Sequence, residues 1–149
     1  MSKEKQKLHL AEEYARRVRS GEILACEYVR LAVGRYYRDL DMALDRGWFF
    51  DRREAIRAIH FIECLKHTKG KWAGSRFRLE PWQQFVVWNI FGWKHADRTR
   101  RFRYTYIEIA RKNGKTALAA GIALYMLFAD GESRPEVYSA ATIKDQAKI

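Results

Sequence analysis

Apolar residues recur at helical spacing through the first third of the chain. Leu8 to Arg19 and Glu22 to Leu44 each carry them, as in Tyr28, Leu31 and Ala32, or Val29, Val33, Tyr36 and Leu40. The spacing predicts two helices joined near Ser20-Gly21. A turn at Asp45-Arg46-Gly47 leads into Phe49-Phe50, and Asp51-Arg52-Arg53-Glu54 has the spacing of a capping box ahead of Ile56, Ile59, Ile62 and Leu65. A third helix is expected there, ending before Gly70. The Lys-, Gly- and Trp-rich segment His67 to Phe77 reads as a connector. Pro81, with its fixed φ, suits the first turn of a fourth helix carrying Trp82, Phe85, Val86 and Ile90 and ending at Gly92.

From Tyr104 the pattern changes. Tyr104 to Ile109 is β-branched and aromatic, which predicts a strand running straight into the loop Ala110-Arg111-Lys112-Asn113-Gly114-Lys115-Thr116. Ala117 to Ala129 is apolar nearly all round, as expected of a helix sandwiched between a sheet and another layer. A short strand at Glu136 to Ala141 and a helix starting at Ile143 complete the reading. The fold class is therefore α/β: a helical region over residues 1–75, then over 76–149 the start of a doubly wound sheet of the P-loop NTPase kind. Leu127-Phe128-Ala129-Asp130 imitates the end of an acidic Walker B strand, but it lies at the far end of the loop's own helix, so Asp130 reads as a helix terminus.

Composition sharpens this picture. Lys and Arg number 29 against 18 Asp and Glu, a net charge of +11 that favours nucleic acid or nucleotide phosphates as partners. Hydrophobic residues at 48% and only two prolines exclude a disordered tail. The run Ala117 to Ala129 is shorter than the roughly 18 residues that a membrane span needs. Two distant cysteines, Cys26 and Cys64, argue against a disulfide framework and for a reducing cytosol. With His60 and His67 they would make four zinc ligands, but a plain helix face with a satisfied histidine and a small buried thiol explains them better.

Gly114-Lys115-Thr116 between a strand and a helix offers what a triphosphate needs. Backbone N–H groups converge at a helix start, a lysine serves the outer phosphates, and a hydroxyl serves Mg²⁺. The full GxxxxGK[ST] pattern would place glycine where Ile109 stands, so this loop is a deviant form. Gly70-Lys71-Trp72 has neither the hydroxyl nor the strand. Arg111, Lys112 and Lys115 crowd the positive end of a helix dipole, a conflict that a bound anion relieves.

The loop Ala110 to Thr116, together with Leu79 to Phe85, Cys26 to Leu31, Ala58 to His67 and Gly70 to Gly74, closely resembles the large subunit of tailed-bacteriophage terminases. The resemblance spans about residues 23 to 149. It implies an ATP-driven motor that packages viral double-stranded DNA into procapsids, with ATP and Mg²⁺ as cofactors. It also implies Lys115 as the phosphate-binding lysine, Thr116 as the Mg²⁺ ligand, Arg111 as the cis arginine on the transferring phosphoryl group, and Asn113 and Gly114 as nucleotide-binding loop residues. Gln83 resembles the adenine-reading glutamine, although on composition alone it is a surface glutamine of an amphipathic helix. Ala141-Thr142 resembles a segment beside the nucleotide.

The same resemblance implies a portal protein and a small terminase subunit as partners, a homo-oligomer in the working motor, and a location in the bacterial host's cytoplasm and at the procapsid portal. The acidic strand, the catalytic glutamate and a nuclease domain would lie downstream, as in a cloned fragment or a truncated prophage gene, and the chain alone is expected to be inactive. Two other readings share these features: a helicase-like DNA-dependent ATPase, and a non-enzymatic basic module that binds nucleic acid. The run Arg98, Arg100, Arg101 and Arg103 with Phe102 and Tyr104 is a candidate phosphate-backbone contact or a solvated loop.

Overall fold

The computed structural model describes residues 8–68 and 73–140. The elements in order are α1 (Leu10–Arg19), α2 (Glu27–Met42), β1 (Trp48–Phe50), α3 (Arg52–Cys64), α4 (Pro81–Gly92), β2 (Trp93–His95) and α5 (Lys115–Phe128). The five helices fall where apolar periodicity, and for α5 a continuous apolar run, predicted them. The second begins later than expected because Glu22 closes the turn behind it. Its carboxylate accepts from Arg16 Nη1 at 2.7 Å and Ser20 Oγ at 2.9 Å, while Ile23 N–H donates to Arg17 O. Those hydrogen bonds, Ser20 first and Arg16 second, hold the Glu22 carboxyl below its ordinary value. Gly21 supplies the left-handed φ of +80° that this turn requires.

The chain divides into two compact units that interleave along the sequence. The first joins the described residues up to Ala55 with Glu80–Arg103; the second joins Ile56–Leu79 with the segment from Tyr104 onward. In the first unit the core gathers around Trp88, which is fully buried. His9 stacks on its ring at 4.8 Å, Phe50 lies 5.1 Å away, and its indole N–H donates to Tyr36 Oη at 3.2 Å. Glu12 serves this core twice: it accepts from the His9 N–H in the cap of α1, and it pairs with Arg52 at 2.9 Å.

The strands β1 and β2 pair antiparallel, Trp48 opposite His95 and Phe50 opposite Trp93. Asp51 begins α3 as the capping spacing predicted, its Oδ1 accepting from Arg53 and Glu54 N–H. Its own N–H donates to Gly92 O at 2.7 Å, which ties the start of α3 to the end of α4. A side chain at Gly92 would overlap the Phe50 ring, so the close approach there requires glycine.

β2 continues into a hairpin-like return in which Lys94 bridges Arg100 and Arg101 N–H donates to Trp93 O. Asp97 holds the turn by accepting from Thr99 Oγ1 at 2.7 Å and Thr99 N–H at 2.9 Å, and these bonds keep its carboxyl below the ordinary range. The expected basic run is thereby sorted. Arg101 is drawn inward, pairing with Asp39 at 2.8 Å and lying 3.5 Å over the Trp48 ring, while Arg35 lies over Phe102. Phe85 packs edge-on against Tyr36 in this core.

In the second unit α3 and α5 pack through Ile62 and Gly121: a Cβ on Gly121 would sit 2.8 Å from Ile62 Cγ2. Phe61 meets the Tyr125 ring edge-on at 5.5 Å. Arg57 donates to Ala129 O, a cation on the carbonyl end of α5 where the helix dipole favours it. Asp130 is a helix terminus, as its sequence position implied, its N–H donating to Tyr125 O. His67 stacks edge-on against Phe77, and no cluster of three or more metal-ligating residues exists among the described residues. The expected buried thiol is corrected: Cys26 and Cys64 are both exposed.

Three expectations for this region are corrected. Tyr104 to Ile109 forms no strand, nor do residues 136–140; among the described residues the one sheet is β1–β2. A strand has no internal hydrogen bonds, so a sequence with the right side chains stays unladdered where no partner strand is paired to it. Nor is α5 buried all round: Leu118, Gly121 and Tyr125 make one buried stripe, while Leu124 and Leu127 are partly exposed and Phe128 is 73% exposed. The doubly wound sheet is thus not formed by the described residues. Gly70-Lys71-Trp72, Ala141-Thr142 and the helix from Ile143 lie outside the described residues.

Candidate functional site

The loop at residues 110–116 is an exposed turn that ends in the first residues of α5. Lys112 has φ +68° and Gly114 φ +73°, ψ +13°. Left-handed conformation suits glycine but strains a lysine, and such backbone is where successive N–H groups form anion-binding concavities. Gly114 is the N-cap and carries no side chain to satisfy the first N–H groups of the helix. Those donors face solvent at the positive end of a 14-residue helix whose first turn has no acidic residue.

Arg111, Asn113, Gly114, Lys115 and Thr116 are brought together in this one turn, and all are exposed. Among the described residues Arg111, Lys112 and Lys115 form no ion pair. Lys115 instead folds back, its Nζ donating to Ile109 O at 3.1 Å, and Asn113 Nδ2 donates to Ala110 O at 3.4 Å. A carbonyl oxygen is a weak substitute for a phosphate oxygen, and a solvent-exposed bond of this kind is readily exchanged for a charged one. The donor set therefore fits a polyphosphate: orphan N–H groups, a hydroxyl, and three cations with no ion pair among the described residues.

Gln83 belongs to the first unit and is 4% exposed. Its Oε1 accepts from Glu80 N–H at 2.9 Å, the reciprocal half of a capping box at the start of α4. The Glu80-to-Gln83 spacing is the signal by which the sequence could have disclosed this duty. The Asp39–Arg101 pair and the buried Lys94 had no local signal, because their partners lie far along the chain.

Residues 81–149 match the family described as "Terminase large subunit, ATPase domain". A relative is the "Terminase, large subunit" of Enterobacteria phage HK97, 33% identical over 96 residues that make up 62% of this chain and 18% of that protein. The chain spans under a fifth of the length of the curated relative it matches. No solved structure matches. The match takes in the whole exposed turn and its helix, and over this part the chain is similar to the ATPase domain of phage terminase large subunits.

Proposed function

We propose that this chain is the amino-terminal ATPase segment of a motor that drives viral double-stranded DNA into procapsids. The observation that carries the reading is the set of three cations at the bare amino end of α5 that form no ion pair among the described residues. In this reading the first N–H groups of α5 and the backbone at Gly114 and Asn113 receive phosphate oxygens. Lys115 leaves the Ile109 carbonyl for the outer phosphates, and the Thr116 hydroxyl is the ligand that Mg²⁺ would take. Arg111 offers a planar fork that can span two phosphate oxygens and offset charge developing between them. Bound MgATP supplies the phosphoryl group whose transfer to water drives the motor.

Gln83 is the proposed adenine reader, and to serve the base its Oε1 must trade the Glu80 N–H for the adenine amino group. The portal protein, the small terminase subunit and further copies of the large subunit are the proposed partners. They would act in the host cytoplasm and at the portal, with a nuclease domain elsewhere in the full-length enzyme. No helix among the described residues is long and apolar enough to cross a membrane.

Equilibrium dialysis against labelled ATP with Mg²⁺ tests the reading. The wild-type chain retains nucleotide weakly and does not turn it over. Lys115→Ala lowers retention by about tenfold or more, the loss expected for a hydrogen bond to a charged group. Equal retention by the variant would overturn the assignment.

A further inference from the structure

A groove of about 390 Å³ runs between the last turn of α1 and one face of α2, wholly within the first unit. Val18 and Val33, both buried, form its floor, and Arg19, Arg30, Gly34, Tyr37 and Arg38 line it, with Asp41 at one end. Arg30, Gly34 and Arg38 recur every four residues and so share a face of α2. With a rise of 1.5 Å per residue the two arginines stand about 12 Å apart along the helix.

Two observations separate this groove from an ordinary basic surface. The first is charge that the chain itself leaves unanswered. Arg16 and Arg17 are engaged by Glu22 at 2.7 and 3.4 Å, whereas among the described residues Arg19, Arg30 and Arg38 have no carboxylate within ion-pair distance. Arg19 is also held in place, its guanidinium 4.5 Å over the Tyr37 ring, so it loses little freedom on meeting an anion. The second is Gly34. Glycine inside a helix costs stability relative to alanine, yet a Cβ there would meet nothing within 4 Å. No packing among the described residues accounts for it; what its absence of a side chain provides is room over the helix backbone, midway between two arginines.

We propose that this groove takes the phosphate backbone of a nucleic acid strand. A strand of duplex DNA carries one charge per about 3.4 Å of axis, so a face about 12 Å long meets three or four phosphates. The bare backbone at Gly34 lets the strand approach closely, which carboxylates on the flexible side chains of an acidic protein do not need. Asp41 repels phosphate and ends the basic face on its side. The basic run at residues 98–103, by contrast, turns Arg101 inward onto Asp39 and Trp48. The groove's chemistry does not depend on the nucleotide-binding loop, so either assignment can fail alone.

Fluorescence anisotropy of a labelled duplex of about 20 base pairs, titrated with the full chain at several salt concentrations, tests the proposal. Arg30→Ala and Arg38→Ala each reduce the slope of log affinity against log salt by about 0.9 for every phosphate they cease to neutralise, and do so equally for unrelated sequences. Gly34→Leu keeps or raises the helical melting temperature while weakening binding several-fold. Unaltered slopes in both arginine variants would overturn the proposal, as would full affinity in a folded Gly34→Leu chain. Polyglutamate competing as well as DNA would also overturn it, in favour of an acidic protein partner.

Discussion

Arg101 is held from several sides at once. Its guanidinium pairs with Asp39, both side chains about a tenth exposed, and lies against Trp48, Trp93 and Phe102. Removing one member of such a pair strands the other charge, so Arg101→Ala should cost about 3 kcal/mol or more in urea unfolding. Replacing both at once, Arg101→Met with Asp39→Leu, should recover most of the loss, because two apolar side chains of similar volume need no partner. If the double variant is as unstable as the single one, the pair is not the source.

Tyr36 gives a second test by pH. Burial pushes its hydroxyl up to about 12 from the ordinary 10.0. The folded state thus holds this proton more tightly than the unfolded one. The stability it contributes is complete below pH 10 and is lost as pH climbs from 10 through 12. Thermal melts of the wild type should fall across that window. Tyr36→Phe should flatten this alkaline step while costing about 1–3 kcal/mol at neutral pH, since the buried Trp88 indole N–H loses its acceptor. An unchanged alkaline step in the variant would assign it to another group. None of this was legible in the order of residues: Arg101 lies far along the chain from Asp39 and Trp48, and a basic run reads the same whether its members face water or the core. The chemistry of the turn at 111–116 was legible because its residues are neighbours along the chain.

Helices carry their own hydrogen bonds, and for that reason four could be placed from periodicity and caps and the fifth from its continuous apolar run. Strands depend on partners. Tyr104 to Ile109 has the composition of a strand, but composition cannot supply the ladder, and β1 and β2, three residues each, were too short to show an alternation. Packing between elements follows the same division. Gly121 on α5 looks like a mild flaw in an apolar helix, yet Ile62 of α3 stands in the way of any side chain there. Gly121→Val should therefore destabilise the second unit by about 1–3 kcal/mol, despite valine's better helix propensity. Ile62→Ala in the same chain should return part of that loss, a coupling measurable in a double-mutant cycle. Simple additivity of the two changes would show that Gly121 and Ile62 do not pack against each other.

For the molecule as a whole, charge and apolar exposure set the behaviour in solution. A net charge of +11 opposes association, while Tyr104, Tyr106, Phe128 and Tyr138 are each more than 70% exposed in segments of strand-like or apolar character. Raising the salt concentration screens the repulsion and leaves the apolar surface unchanged. Sedimentation velocity should then reveal concentration-dependent self-association; a monomer at high salt and high concentration would contradict it.

Nucleotide binding is assigned to the turn that opens α5, and amide NMR addresses that turn directly. With millimolar Mg²⁺ and a non-hydrolysable ATP analogue, shifts should concentrate in the amides of residues 111–117 and vanish in Lys115→Ala. Shifts spread evenly over the chain, or an identical response from the Lys115→Ala variant, would contradict the assignment.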